Sequence, residues 1–191
     1  MSICIFPGTF NPIHNAHIRM AEYALEKYNF EKVIFIPAYI PPHKELSHDL
    51  ATHRFNMVKL AISYNPKFEI SDIEYKSEGK SYSLFTVKQI LEQYSIKSRL
   101  NFIIGTDAFA KIESWYHAEE LKNLVHFIVF PRRDSDNSQI FEQLKNNGWD
   151  FELTKMNYVD ISSTEIRNSV TENELNKEVE DYITKNGLYK S

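Results

Sequence analysis

The 191-residue chain has a single cysteine, Cys4, within its first apolar run, which excludes a disulfide framework within the chain and points to a reducing compartment. It has no excess of basic charge. Its 22 Lys and Arg stand against 26 Asp and Glu, a formal net charge of −4, so a general nucleic-acid or membrane-surface role is not expected and any positive charge that holds phosphate must be local. No apolar run approaches the roughly 18 residues a membrane span needs. The opening MSICIFPGTF has neither a basic n-region nor a long apolar h-region, so it does not read as a signal peptide. Internal repeats and low-complexity linkers are missing too. These absences leave one domain, residues 1–191, with the cytoplasm as the expected location.

What is present is alternation. Hydrophobic residues make up 42% of the chain, enough for a real core. Short apolar runs at 2–6, 32–36, 67–71, 99–104 and 125–130 read as strands, with a further short strand near 150–155. Helical spacing marks about 15–28, 50–64, 83–95, 107–122 and 137–147. The end, about 163–187, reads as a small helical extension, with Gly187 as its stop signal. Strand–helix alternation with continuously apolar strands predicts an α/β, Rossmann-like, doubly wound parallel sheet. Ligands then lie beyond the carboxyl ends of the strands, near the switch in strand order.

The most informative stretch runs from Ile3 to His17: a buried strand, a turn punctuated by Pro7, Gly8, Asn11 and Pro12, then His14 and His17 at the start of a helix. The first turn of a helix has unpaired N–H groups and the positive end of the dipole, which favour phosphate. The stretch therefore reads as a nucleoside triphosphate site with Thr9, His14 and His17 around it. Two histidines three apart also fit a helix cap or half of a metal site, but no third His, Cys or paired carboxylate stands nearby.

After the second strand, Pro37 to Lys44 is a proline-stiffened loop ending in His43-Lys44, either a presented cation pair or a solvated surface loop. Arg54, on the next helix, reads alone as a surface or ion-pair arginine. Lys80-Ser81-Tyr82-Ser83 precedes a helix, where hydroxyls serve as caps or as phosphate ligands. Asp107, in Gly105-Thr106-Asp107, suits a ribose or a helix cap equally. Trp115-Tyr116 reads as core aromatics or as a stack for a flat ring. Ile161-Ser162-Ser163-Thr164-Glu165-Ile166-Arg167 reads as a capping box or as a polyphosphate grip.

Together these motifs resemble a known group. Gly8 to His17 is similar to the GTFDPIHxGH signature of the nucleotidyltransferase superfamily with the (H/T)xGH motif, and Ile161 to Arg167 matches its ISSTxIR motif. The inner motifs, with Val179, Tyr182-Ile183 and Asn186-Gly187-Leu188-Tyr189, resemble the nicotinate-nucleotide adenylyltransferase family. That resemblance covers nearly the whole chain and implies that nicotinate mononucleotide and ATP are joined to deamido-NAD with release of pyrophosphate, in NAD biosynthesis. It implies His14, His17 and Arg167 as catalytic residues. ATP would be bound by Gly8, Thr9, Phe10, Asn11, His14, His17, Gly105, Asp107, Ile161, Ser162, Ser163 and Arg167. His43, Lys44, Ser81, Tyr82, Ser83, Trp115 and Tyr116 would serve the nicotinate nucleotide. Mg²⁺ would come with the ATP phosphates, with few or no protein ligands. The attacking phosphate monoester is already anionic near neutrality, its second pKa being about 6, so no general base is required.

The sequence departs from the pattern at Ala16 (usually Gly), Asn11 (usually Asp), Phe85 (an Asp after the SYT element) and Pro131-Arg132-Arg133-Asp134 (which lacks RPG). Rival readings are pantetheine-phosphate or another nucleotidyl transferase, and a non-catalytic nucleotide sensor. Oligomeric state is left open, a homo-oligomer included. The reading requires residues 8–17 and 161–167 to converge on one triphosphate.

Overall fold

The structure, a computed structural model, describes residues 2–42, 46–77, 79–131, 137–156, 167 and 174–190. Strands β1 (Ile3–Gly8), β2 (Lys32–Pro37), β3 (Phe68–Ile70), β4 (Leu100–Gly105), β5 (Val125–Phe130) and β6 (Phe151–Leu153) form one sheet. Its order is β3-β2-β1-β4-β5-β6 and every pairing is parallel. The helices are α1 (Asn15–Lys27), α2 (Asp49–Ile62), α3 (Ser83–Gln93), α4 (Thr106–Phe109), α5 (Ala118–Lys122), α6 (Ser138–Asn146) and α7 (Lys177–Asn186).

Both faces of the sheet are covered, which is why its strands are apolar throughout. Successive side chains of a strand point to opposite faces. Ile3, Ile5, Ile34, Ile36, Phe102, Ile104, Phe127 and Val129 join a core beneath α3 to α6. Cys4, Phe6, Val33, Phe35, Ile103, Ile128 and Phe130 join the other, beneath α1, α2 and α7. The doubly wound sheet read from the sequence is the observed fold.

Two expected helices differ. Residues 107–122 are three short pieces: α4, a 3₁₀ turn at Ile112–Ser114, and α5. The chain is extended at Trp115 (ψ 152°) and left-handed at His117 (φ 51°). These breaks let Phe109, Ile112 and Leu121 all reach full burial, and they lay Trp115 against Phe102. The helical extension expected over about 163–187 is likewise not helical throughout its described residues. Residues 174–176 are not helical, and the Asn176 side chain caps α7 by accepting from the Val179 N–H at 2.9 Å. Gly187, left-handed at φ 62°, ends that helix as its position suggested. α7 docks on α2 through the buried Val179 and through Tyr182, whose hydroxyl lies 2.8 Å from His53 Nδ1 and accepts from Asn56 Nδ2 at 3.0 Å.

The fold places the site through one topological fact. β1 pairs with both β2 and β4. The helix after β1 packs on one face and the helix after β4 on the other, so a crevice opens between them at the carboxyl ends of these two strands. The β1–β4 register pairs Ile5 with Phe102; continued, it sets Gly8 level with Gly105.

Candidate active site

The turn after β1 is built tightly. A Cβ on Gly8 would lie 2.8 Å from the ring of Phe10, which doubles back over it. Phe10 itself is left-handed (φ 50°) and buried, and the Asn11–Pro12 peptide is cis. Only glycine admits this approach of ring to backbone. The turn delivers His14, in extended conformation, as the N-cap of α1.

His14 and His17 act as a pair. Their rings stack with centroids 3.7 Å apart, and His17 Nδ1 accepts the backbone N–H of His14 at 3.1 Å. That bond puts the proton of a neutral His17 ring on Nε2, which is then a donor on the far side. Phe10 meets His17 edge-on at 5.1 Å and fixes the ring further. His14 is 5% exposed.

The C-terminal part of the chain reaches the same turn. Arg167 Nη1 donates to the Asn11 carbonyl at 2.5 Å, the Tyr189 hydroxyl donates to Asn11 Oδ1, and the Asn15 N–H donates to the Glu174 carbonyl at 2.9 Å. Burial pushes the Tyr189 phenol up to about 12, against the opposing pull of Arg167 and Arg54. The convergence of the two motifs is therefore observed at Arg167. Ile161, Ser162 and Ser163 lie outside the described residues, as do His43 and Lys44.

On the neighbouring strand, Gly105 is the N-cap of α4 and Asp107 stands exposed in its first turn. Residues expected from the resemblance to serve the nicotinate nucleotide lie before α3 and α5. Tyr82 and Tyr116 stack at 4.4 Å, with Phe85 beside them at 5.7 Å from Tyr116. Tyr116 and Phe85 remain 42% and 48% exposed. Ser83 is the first residue of α3. Trp115 is half-buried, 6.3 Å from Phe102, so one face of it serves the core. Ser81 turns inward: its Oγ accepts from the N–H groups of Tyr39 (3.1 Å) and Ile40 (3.3 Å).

Sequence reasoning passed over three residues. Arg54 is neither on the surface nor ion-paired; it is fully buried, with no carboxylate within 4 Å among the described residues. Among the described residues its guanidinium donates to the carbonyls of Thr9, Ala38 and Tyr39. Desolvation lowers its pKa. Glu74 is 5% exposed and accepts from Thr86 Oγ1 at 2.7 Å; burial raises its pKa to about 7, against hydrogen bonds from Thr86 and Ser81 and the charge of Arg54. Tyr189 carried a signal only as part of the chain's closing motif.

Among the described residues no group of three or more His, Cys, Asp or Glu is placed to hold a metal ion. The donors gathered at the turn are imidazole, guanidinium and amide N–H groups, which suit phosphate oxygens.

A parallel sheet with its switch point at β1 and β4, and a histidine pair at the first helix, defines a nucleotidyltransferase. The chain matches the cytidylyltransferase-like family over residues 5–169 and belongs to it. Among curated relatives, a protein of Caldicellulosiruptor saccharolyticus designated a probable nicotinate-nucleotide adenylyltransferase is 40% identical over the full length of both chains. One of the same designation from Fusobacterium nucleatum is 38% identical, covering 97% of this chain and 98% of its own. This chain is thus a member of the nicotinate-nucleotide adenylyltransferases. Its fold is shared with the Plasmodium falciparum nicotinic acid mononucleotide adenylyltransferase complexed with NaAD, with a TM-score of 0.81 at 22% identity, covering 98% of this chain and 96% of that one.

Proposed function

We propose that His14, His17 and Arg167 hold the ATP phosphates while nicotinate mononucleotide attacks, and that residues 1–191 work as one nucleotidyltransferase domain. A phosphate oxygen of the mononucleotide forms a bond to the α-phosphorus of ATP, and the bond from that phosphorus to the pyrophosphate oxygen breaks. The nucleophile is already an anion. The task of the protein is to align two polyanions and to stabilise the charge that grows on the leaving pyrophosphate.

The observation that carries this reading is the meeting of Arg167 with Asn11, on the turn that presents the stacked His14 and His17. It collects three cationic or N–H donors at one helix N-terminus, where leaving-group charge is best stabilised. Gly105 and Asp107, across the switch point, would meet the adenosine ribose. Tyr82, Ser83, Trp115 and Tyr116 would serve the acceptor nucleotide. Magnesium would arrive on the ATP phosphates, neutralising part of their charge, and the chain's own donors would hold those phosphates. Among the described residues no helix is long and apolar enough to cross a membrane, and we place the reaction in the cytoplasm.

Pyrophosphate release from Mg-ATP, measured with nicotinate mononucleotide, nicotinamide mononucleotide and phosphopantetheine as acceptors, tests the reading. Release with the nicotinate nucleotide far above the others is the expected result. Preference for phosphopantetheine, or no release with any acceptor, overturns it.

A further inference from the structure

The buried Arg54 does something that neither helix packing nor phosphate binding accounts for. It sits on α2 with 0% exposure. Nη1 donates to the Thr9 carbonyl at 2.9 Å and to the Ala38 carbonyl at 2.5 Å, and Nη2 donates to the Tyr39 carbonyl at 2.9 Å. Thr9 belongs to the phosphate turn after β1, whereas Ala38 and Tyr39 belong to the loop after β2. The backbone adds one direct link, from the Ala38 N–H to the Gly8 carbonyl at 2.9 Å.

The second loop is joined onward. The N–H groups of Tyr39 and Ile40 donate to Ser81 Oγ, and the Ser81 N–H donates back to the Ile40 carbonyl at 2.9 Å. Ser81 adjoins Tyr82 and Ser83, the acceptor-side element. A continuous path of hydrogen bonds thus runs from the ATP turn, through one guanidinium, to the segment expected to hold the other substrate. Only a planar fork with several fixed N–H donors can bind three carbonyls from two loops at once. Burying a guanidinium among carbonyls, with no carboxylate at ion-pair distance among the described residues, is costly. Glu74 acts on it from beyond ion-pair distance, and the Tyr75 and Tyr189 phenols lie within its field. A purely structural brace would be served better by an apolar side chain.

We propose that Arg54 is a positioning residue that locks the ATP turn and the acceptor loop into one unit, so that the attacking phosphate and the α-phosphorus meet in line. It touches neither substrate; it acts through Thr9 on one side and through Ala38, Tyr39 and Ser81 on the other. This rests on the assignment of ATP to the turn and of the nicotinate nucleotide to the 81–83 segment. Misalignment between two reactants costs rate far more than it costs the binding of either one.

The test compares Arg54→Lys, which keeps the charge and loses the fork, with Arg54→Met, which loses both. The measurements are kcat and KM for both substrates, melting temperature, and binding of a non-hydrolysable ATP analogue alone. Both variants are expected to bind the analogue within about threefold of the parent chain, while kcat falls about 10- to 100-fold. Lysine should restore melting temperature more than it restores kcat. A variant that melts lower but turns over normally per folded molecule overturns the proposal, as does one in which kcat follows melting temperature through both substitutions. If neither variant folds, Ser81→Ala removes the two Oγ bonds at the far end of the same path and keeps the backbone bond to Ile40. It should lower kcat about tenfold with analogue binding unchanged, and an unaltered kcat there overturns the proposal. A parent chain that releases no pyrophosphate overturns the functional assignment itself; an active parent with fully active variants overturns only the bridge.

Discussion

The Tyr189 hydroxyl donates to Oδ1 of Asn11, tying the third-last residue of the chain to the turn after its first strand. Asn11 stands where the resemblance has Asp, and it is 6% exposed. Its carbonyl accepts from Arg167, so one residue is held at both its side chain and its backbone by the C-terminal part of the chain. Removing the Tyr189 hydroxyl leaves a buried amide oxygen without its donor, at a cost of about 1–3 kcal/mol. Tyr189→Phe is expected to lower kcat/KM for ATP about tenfold, with a smaller effect on the nicotinate nucleotide. Because the phenol titrates only at about 12, the ratio of parent to variant should stay constant from about pH 6 to 10 in steady-state kinetics. A ratio that drifts across that range would count against a neutral hydroxyl donor.

Turnover should depend on His17 through the donor at Nε2. His17→Ala is expected to reduce kcat by roughly 10²-fold, the usual loss for one preorganised donor to developing charge. The fold should survive, since the ring is partly exposed and its bond to the His14 N–H is local to the turn. Circular dichroism and single-turnover pyrophosphate release on the same preparation check both halves.

Glu74 makes stability depend on pH in an unusual direction. Its folded pKa is raised from 4.5 to about 7, first by burial. Between those values the folded chain binds more protons at this site than the unfolded chain does, so its contribution to stability falls as pH rises through the window. At 1.36 kcal/mol per pH unit this amounts to at most ~3 kcal/mol. Glu74→Gln keeps an acceptor for Thr86 and removes the titration. The variant should melt about 5 °C or more above the parent at pH 8, with the gap closing toward pH 5. Parallel melting curves from pH 5 to 8 would contradict the buried-carboxylate assignment.

Trp115 is half-buried with its ring 6.3 Å from Phe102, and it is proposed to serve the nicotinate nucleotide. Trp115→Ala should therefore weaken nicotinate mononucleotide binding about tenfold or more while ATP binding changes little, the loss being that of an aromatic stack. Calorimetric titration with each nucleotide separately decides it; equal losses would mark Trp115 as core alone. The melting temperature should also drop by a few degrees, because a half-buried indole is removed.

The sequence by itself determined the architecture and marked the turn after the first strand. Alternating strand and helix periods, with apolar runs buried on both faces, require a doubly wound parallel sheet. The Gly8-to-His17 turn is legible because close packing of a ring over a glycine, and a helix opening in histidine, are local matters. Where a helix breaks is less local. Residues 107–122 have helical spacing, yet the need to bury Phe109, Ile112 and Leu121 together on one sheet face turned the chain at Trp115 and His117.

Only the tertiary structure decided what Arg54, Glu74 and Tyr189 do. Each is a polar side chain whose partners lie far along the chain: Arg54 bonds Thr9, 45 positions away, and Tyr189 bonds Asn11, 178 away. A polar residue in a linear sequence carries no mark of burial, because burial comes from the packing of other segments around it. The periodicity of apolar residues records which face of an element points inward, whereas the partner of a buried charge is set only when separate loops are brought to one place by the sheet.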